Sequence, residues 1–448
     1  MNQQQDLTTG SIPGKLIRFF LPIAAGTLFQ QFYNTVDAMV VGKFVGTEAL
    51  AAVGGSAAMI IALFIGFFVA LTSGASAVIA QLAGARREED VSRAVHSAFA
   101  FSILAGLGLM AVGIPVTPRV LQWMKTPPDT MADSIVYLRI YFGGAVFMLV
   151  FNMGSSMLQA MGDSRNPLRY LVCSCVCNII LDLVFVVGLR MGIAGVAIAT
   201  VASQLLSSLL ILRKFCTLDG FHRLHLKKLR IHPALMKQML LVGIPAGLQA
   251  SMYGVSNMIV QIGVNSLMTV VVAAWSVASK VDGIYSCIST ALGVAVMGFV
   301  GQNYGAGRED RVRQTLSVAM KIFLPVTVIL GVVVLLFSRF CLGIFLEDPE
   351  VISATQFIMW HFVPAYLLWT YIELVSGALK GVGDAVWPLI IVGLGVCVFR
   401  LFWMGLVFPF ARSISGLSLC YPVSWFITAV ALSIHCRKKG WGRRKAAA

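Results

Sequence analysis

Long apolar stretches, separated by short polar segments, repeat along the whole chain. Each stretch is about as long as the roughly 20 residues that an α-helix needs to cross the hydrocarbon core of a membrane. We therefore predict an all-α polytopic membrane protein with twelve transmembrane helices. The twelve spans are 16–41, 48–80, 94–117, 133–160, 168–189, 193–212, 236–265, 270–300, 315–337, 352–379, 387–410 and 416–435.

Composition supports this class. Hydrophobic residues make up 58% of the 448 residues and charged residues only 12%, with a mean hydropathy of +0.85. A soluble protein of this length could not bury so much apolar surface. The first fourteen residues are polar, so we expect no removable signal peptide. The nine cysteines are scattered through apolar spans and indicate neither disulfides nor a metal site.

The net charge of +15 is explained by where the basic residues lie. They gather in alternate loops, including 86–93, the 213–237 connection, 308–313 and the C-terminal tail. Cytoplasmic loops of membrane proteins carry such an excess of Lys and Arg, so we place both termini in the cytoplasm. Nucleic-acid binding is not needed to account for the charge, and we do not expect it.

The two halves of the chain are related as tandem repeats. GDSRNP at 162–167 corresponds to GDAVWP at 383–388, and QLAGARREED at 81–90 to QNYGAGREDR at 302–311, both at a shift of 221 residues. Pro22 corresponds to Pro245 at a shift of 223. Six spans per half give parallel repeats about an axis along the membrane normal, an arrangement typical of transporters.

The repeat predicts five regions in the chain. They are a cytoplasmic N-terminal segment (1–14), an N-lobe of six helices (15–212), a cytoplasmic linker (213–235), a C-lobe of six helices (236–436) and a basic cytoplasmic tail (437–448).

The first span carries polar side chains on one helical face. Tyr33 and Asn34 lie three and four residues after Gln30, and Asp37 lies four and three residues after them. These spacings place all four side chains on one face of the helix. An acidic residue inside a membrane is costly, so Asp37 is a functional candidate. Pro22, earlier in the same span, removes one backbone hydrogen bond and is expected to bend the helix.

Three other spans of the N-lobe add polar groups at a comparable depth. Asn178 and Asp182 share one face of the fifth span, Thr200 lies in the sixth and Asn152 in the fourth. Carboxylate, amide and hydroxyl oxygens can bind a small hard cation. Alternatively, the two neighbouring acids can hold a proton.

Other charged residues inside the spans of the C-lobe are harder to interpret. Lys280 and Asp282 in the eighth span are close enough in sequence to neutralise each other, and Glu373 lies in the tenth. We treat these three residues as candidate C-lobe transport residues. No catalytic constellation and no phosphate-binding glycine loop appears, so we expect neither an enzyme nor direct use of ATP. We expect an ion gradient to supply the energy.

At these residues the chain resembles multidrug and toxic compound extrusion (MATE) transporters, particularly the prokaryotic MepA- and DinF-like branch. The resemblance is carried by LP at 21–22 with FYNTVD at 32–37, by QLAGA and QNYGAG, and by the paired GD motifs, and it covers about 15–436. It implies a V-shaped pair of six-helix bundles in the cytoplasmic (inner) membrane of a prokaryote. It also implies cation-coupled export of bulky, often cationic drugs, and hence a contribution to antibiotic resistance.

The resemblance also implies roles for individual residues. Asp37, Asn178, Asp182 and Thr200 match the ion-coupling site of the N-lobe, which would bind Na⁺ if sodium is the coupling ion. Gln30, Tyr33 and Asn152 match positions lining the N-lobe cavity, Asn34 shares their face, and Pro22 matches the bend of the first helix. In the NorM branch an acidic residue of the seventh helix serves a C-lobe site, whereas this sequence has Asn257 and Ser256 there.

The sequence thus predicts a monomeric secondary transporter without cofactor that exchanges cationic or amphiphilic small molecules for H⁺ or Na⁺, in contact with membrane lipids. Two alternatives remain. One is a flippase for a lipid-linked precursor, which should line its cavity with cationic side chains. The other is a receptor that binds small amphiphiles without moving them. The sequence does not distinguish H⁺ from Na⁺, because the same acids serve either ion.

Overall fold

The computed structural model describes residues 6–218, 220, 223–345 and 348–439, which are almost entirely helical. The α-helices are α1 (Ile12–Val40), α2 (Thr47–Ala52), α3 (Ala58–Gly84), α4 (Glu88–Trp123), α5 (Pro128–Gly143), α6 (Ala145–Ala160), α7 (Arg165–Asp182), α8 (Gly192–Thr217), α9 (Pro233–Asn265), α10 (Thr269–Gly305), α11 (Glu309–Phe345), α12 (Pro349–Gly381), α13 (Val386–Val392), α14 (Phe399–Phe402), α15 (Ile414–Ser418) and α16 (Cys420–Lys438). Five short π-helical stretches and a 3₁₀ turn at Leu226–Lys228 complete the described secondary structure.

The prediction of twelve transmembrane helices is confirmed in the described part of the chain. Eleven helices there are long and apolar enough to cross a membrane, and the pair α5–α6 forms a twelfth span that is bent by 50°. The bend lies at Gly144, where an added Cβ would lie 2.5 Å from Cγ2 of Val201 on α8. Adjacent glycines are a common cause of kinks. Glycine here also allows the bent span to pack closely against α8.

The chain divides into two compact units. The first comprises Phe19–Gly247, and the second comprises Leu7–Arg18 together with the chain from Leu248 onward. These limits differ from the predicted lobe boundaries. The first turns of α9, within the predicted C-lobe, belong to the first unit, and residues 15–18 belong to the second. The predicted tail lies outside the described residues beyond position 439.

In the first unit, the predicted linker is packed onto helices rather than extended in solvent. Leu224 is 2% exposed and joins a core with Phe99 and Phe215, whose rings meet edge to face at 5.0 Å. The backbone N–H of His225 donates to Nε2 of His96 at 3.1 Å, and the N–H of His232 donates to Oγ of Ser97 at 2.9 Å. The polar sequence of the linker does not reveal these hydrogen bonds, because their donors are backbone N–H groups.

In the second unit, the N-terminal segment before α1 is fixed by hydrogen bonds to the end of α10. The N–H of Leu7 donates to Oε1 of Gln302 at 3.0 Å, and Nδ2 of Asn303 donates to the carbonyl of Leu7 at 3.2 Å. Arg308 and Arg311 donate to the carbonyls of Thr8 and Gly10. These arginines belong to the basic loop at 308–313, so that loop also has a structural role.

Close backbone packing between α10 and α12 is central to the second unit. A Cβ added at Gly377 would lie 2.3 Å from the carbonyl oxygen of Gly293. Only glycine permits this approach, and small residues at helix crossings are the usual way in which membrane helices gain packing energy. The first unit has an equivalent crossing, because a Cβ at Gly74 would lie 2.0 Å from the carbonyl oxygen of Met239.

We predict that Gly377→Ala destabilises the protein, because the new methyl group forces α10 and α12 apart, at a cost of about 1–3 kcal/mol. The measurement is the melting temperature of the detergent-purified protein. Gly254→Ala on α9 is the matched control, since a Cβ there meets no atom within 4 Å. Equal melting temperatures for the two variants would contradict the importance of this crossing.

Candidate functional site

Two helices of the first unit carry the acidic residues and become irregular next to them. α1 changes to a π-helix at Val41–Val45, four residues after Asp37. α7 changes to a π-helix at Leu183–Gly188, directly after Asp182. π-Helical turns shift the backbone hydrogen-bonding pattern and are frequent at functional sites. α1 itself continues as an unbroken α-helix through Pro22 from Ile12 to Val40.

The carboxylates of Asp37 and Asp182 lie within hydrogen-bonding reach of each other. Asp182 is fully buried and Asp37 is half-buried. In each acid, the Oδ1 atom is buried and has no hydrogen-bond partner among the described residues. Two ionised carboxylates at about 4 Å repel by about 4 kcal/mol at an effective dielectric constant of 20. A proton or a cation between them would remove this repulsion.

Asn178 and Thr200 complete the polar set. With its amide oriented to satisfy both neighbours, Asn178 donates through Nδ2 to Oδ2 of Asp182 at 2.9 Å, and its Oδ1 accepts from the N–H of Thr200 at 3.3 Å. The hydroxyl of Thr200 donates to the carbonyl of Val196 at 3.0 Å. The hydroxyl of Tyr33 reaches Oγ1 of Thr200 at 3.5 Å. Asp37, Asn178, Asp182, Thr200 and Tyr33 are therefore neighbours in one unit.

The other predicted cavity residues differ in their surroundings. Gln30 and Asn34 are exposed on α1 in the same helical region as Asp37. Asn152 on α6 is half-buried, and its Nδ2 donates to the carbonyl of Met148 at 2.9 Å within its own helix. No described contact joins Asn152 to the acids. Gln30 and Asn34 thus offer free polar groups beside the acid pair, whereas the amide donor of Asn152 is engaged locally.

Two tyrosines near the acids were not identified from the sequence. Tyr137 and Tyr141 lie on α5 with ring centroids 6.0 Å apart, and both interact electrostatically with Asp37. Gln204 on α8 lies against Tyr141. The spacing of four residues between the tyrosines was a usable signal, because it places both hydroxyls on one helix face inside a span.

The candidate residues of the second unit do not form one site. Lys280 is exposed and forms no contact ion pair with Asp282. Residues two apart on a helix point in different directions, which explains this result. Asp282 instead lies beside the Tyr366 hydroxyl. Glu373 packs against Gly293 and interacts electrostatically with Lys380.

Asn257 is exposed on α9 and contacts the buried Arg400. Its Oδ1 accepts a hydrogen bond of 2.9 Å from Nη1 of Arg400, which is 2% exposed. Ser256, its neighbour, is 1% exposed, and its hydroxyl has no partner among the described residues. The acidic group expected on this helix in the NorM branch is thus replaced by an amide bonded to a guanidinium.

The first unit therefore brings together a set of polar oxygen atoms around the acid pair. Its donor set contains two carboxylates, an amide and a hydroxyl, which are hard oxygen ligands suited to Na⁺ or to a shared proton. No group of three His, Cys, Asp or Glu side chains that could hold a metal ion occurs within the described residues. This set has only two such side chains, which argues against a transition-metal site at this position.

Comparison with known proteins gives a consistent picture. Residues 22–184 and 245–404 match the family model described as MatE. The chain is 29% identical over 380 residues to Probable multidrug resistance protein YoeA of Bacillus subtilis, covering 83% of this chain and 82% of that protein. It is 22% identical over 376 residues to Multidrug export protein MepA of Staphylococcus haemolyticus, covering 84% and 82%.

The fold is also similar to solved structures. The crystal structure of MATE in complex with MaL6 covers 98% of both chains with a TM-score of 0.89 and 20% sequence identity. At this identity the likeness shows the fold alone. It confirms the predicted helical membrane architecture.

We predict that Asn178→Leu destabilises the first unit, because Oδ2 of Asp182 loses its buried amide donor. The expected cost is about 1–3 kcal/mol, measured as a lower melting temperature in detergent. Asn34→Leu is the matched control, because Asn34 is exposed on a neighbouring helix and should change stability little. If both variants melt like the unmodified protein, the bond from Asn178 to Asp182 does not stabilise the fold.

Proposed function

Because the chain belongs to the MatE family, we propose that it is a secondary active multidrug efflux transporter. It exports bulky cationic or amphiphilic compounds by alternating access and takes up H⁺ or Na⁺ in exchange. The proposal rests mainly on one observation, the contact between the carboxylates of Asp37 and Asp182 inside a membrane-spanning unit. The names of the relatives YoeA and MepA support multidrug compounds as the substrate class.

The acid pair couples the ion to the substrate through competition for negative charge. When the pair holds no cation, its unbalanced charge attracts a cationic substrate to the polar face of α1. Gln30 and Asn34 are exposed on that face. Binding of H⁺ or Na⁺ between the carboxylates removes the attraction, and the substrate is released.

An inward cation supplies the energy for this exchange. At a membrane potential of about 150 mV, each positive charge that moves inward provides about 3.5 kcal/mol. For an uncharged substrate this supports more than a 100-fold concentration ratio, at about 1.4 kcal/mol per tenfold. A one-for-one exchange with a monovalent cationic substrate moves no net charge and draws on the concentration gradient of the coupling ion alone. We propose that no ATP is needed and that the protein acts as a monomer.

The proposed location is the cytoplasmic membrane of a prokaryote, with both termini in the cytoplasm. The support is the excess of Lys and Arg in alternate loops together with the bacterial sources of the relatives. In this orientation the acid pair is reached by substrate from the cytoplasm and by the coupling ion from outside.

We predict that Asp37→Asn abolishes ion-driven efflux while the protein remains folded, because a neutral amide cannot exchange a cation. The measurement is the export of a cationic dye such as rhodamine 6G from inverted or reconstituted vesicles, with an expected loss of at least about tenfold. Asp133→Asn on α5 is the matched control, since that acid is exposed and outside the site. Undiminished export by Asp37→Asn would overturn the proposal.

We further predict that Asp182→Asn causes the same loss and that the double variant loses no more than either single variant. Residues that share one occupant are not additive. Sodium and pH gradients imposed separately on the vesicles identify the coupling ion. Export that follows neither gradient, or additive losses in the double variant, would contradict a shared ion site.

A further inference from the structure

Arg400 is a buried cation in the second unit for which the proposed coupling mechanism has no role. It is 2% exposed and is among the largest fully buried side chains of the described residues. Among the described residues, no Asp or Glu oxygen lies within 4.0 Å of its guanidinium, so it forms no ion pair there. A charged side chain inside a membrane is expensive and usually marks a functional site.

Some hydrogen-bond donors of the guanidinium have no partner among the described residues. An arginine offers five N–H donors. Nη1 donates to Oδ1 of Asn257 at 2.9 Å, and Nε makes a long contact of 3.5 Å with Oγ of Ser424. Nη2 has no partner among the described residues. Asn257 is exposed, so the guanidinium is in contact with a residue at the surface of its unit.

Aromatic rings surround the charge. The guanidinium carbon lies 3.8 Å from the ring centroid of Tyr421 and 5.9 Å from that of Trp425. Trp425 packs against Trp369 with a centroid distance of 5.6 Å, and Tyr253 meets Trp369 edge to face at 5.3 Å. Nε1 of Trp425 and the hydroxyl of Tyr253 are buried without partners. These rings belong to the core of the second unit, so they fix the guanidinium in place and leave Nη2 as its unpartnered donor group among the described residues.

The backbone around Arg400 is irregular in the same way as around the acid pair. α14, which carries Arg400, is a four-residue α-helical stretch between π-helices at Gly393–Val398 and Trp403–Val407. The repeat offset of 221 residues relates Ile179, beside Asn178, to Arg400, and relates Thr200 to Tyr421. The offset of 223 relates Asn34 to Asn257. At the same offsets Asp182 and Asp37 themselves correspond to Trp403 and Val260, so the second unit has no acid pair at the equivalent positions, and its buried charge is the positive one of Arg400.

Other charges of the second unit leave this positive charge available. Asp282 interacts electrostatically with Arg400 but lies against the Tyr366 hydroxyl. Lys280, two residues before Asp282 in sequence, is exposed. Glu373 interacts with Lys380, on its own helix. Asp282 therefore reduces the positive potential around Arg400 without accepting a hydrogen bond from its guanidinium.

We propose that Arg400 is the centre of an anion-binding site that takes the carboxylate of amphiphilic substrates. This extends the proposed export function, on which it rests, to substrates that carry a negative group as well as a positive one. The planar guanidinium matches a carboxylate, and the buried rings of Tyr421 and Trp425 hold it in position. A phosphate monoester is disfavoured because it carries about 1.5 to 2 negative charges at neutral pH, against one guanidinium.

A matched pair of dyes tests the site. Rhodamine 6G is an ethyl ester and a cation, and rhodamine 19 is the same ring system with a free carboxylate. We expect Arg400→Gln to weaken export and binding of rhodamine 19 by about tenfold or more, because a charge-assisted hydrogen bond is lost, while rhodamine 6G changes less than about twofold. Arg400→Lys keeps the positive charge but not the planar set of N–H donors. Its export and binding of rhodamine 19 should lie between those of the unmodified protein and those of Arg400→Gln. Arg139→Gln, at an exposed arginine in a span of the first unit, is the control.

A second variant tests the proposal if the Arg400 variants do not fold. Asn257→Ala removes an exposed side chain and frees Nη1 from its internal acceptor. We expect it to bind rhodamine 19 more tightly in detergent, by fluorescence polarisation, and to leave rhodamine 6G binding unchanged. Weaker or unchanged binding of rhodamine 19 by this variant would contradict the proposal.

The outcomes separate this inference from the proposed function. Equal losses for both dyes in Arg400→Gln would mean a structural role for Arg400 and would overturn the anion site. Export of rhodamine 6G without binding of rhodamine 19 by the unmodified protein would also overturn it. If neither dye is exported, the proposed function fails, and binding of rhodamine 19 that depends on Arg400 would still support the anion site.

Discussion

The cost of burying charge in a membrane is the constraint on which this molecule depends. A buried charge must be neutralised, hydrogen-bonded or exchanged with a ligand, since the surrounding medium does not solvate it. In the first unit the carboxylates of Asp37 and Asp182 lie close together, so their ionised forms repel each other unless a proton or another cation lies between them. In the second unit one guanidinium is stacked on aromatic rings without a carboxylate in contact. Both arrangements are least stable when empty, which is a useful property for a protein that binds and releases its cargo.

The rest of each unit holds these side chains in fixed positions. Glycine contacts such as Gly293 with Gly377 bring helix backbones together at distances that no other residue allows. Rigid crossings of this kind limit how far the functional helices can move within their own unit. The irregularity is concentrated elsewhere, in the π-helical turns beside Asp37, Asp182 and Arg400. The closest glycine crossings and these irregular turns thus lie on different helices.

The two halves of the chain are related as repeats but differ in the charges that they bury. The repeat relates Thr200 to Tyr421, and it relates Asp37 and Asp182 to Val260 and Trp403. The acid pair of the first unit therefore has no acidic counterpart at the equivalent positions. The buried charge of the second unit is instead the guanidinium of Arg400.

The sequence by itself determined the fold class, the number of spans, the repeat and the intramembrane acids, because each is a property of local composition or periodicity. Hydropathy identifies a helix whose neighbours are unknown, and spacing of three and four residues shows which side chains share a face. The tertiary structure decided which faces meet. It brought Asp37 to Asp182, separated Lys280 from Asp282, and packed the linker around Leu224 onto the first unit. It also gave Arg400 its aromatic neighbours, which come from a helix more than twenty residues further along the chain. Contacts of this kind depend on helix rotation and crossing, which are set by packing between distant residues and leave no periodic signal in one sequence.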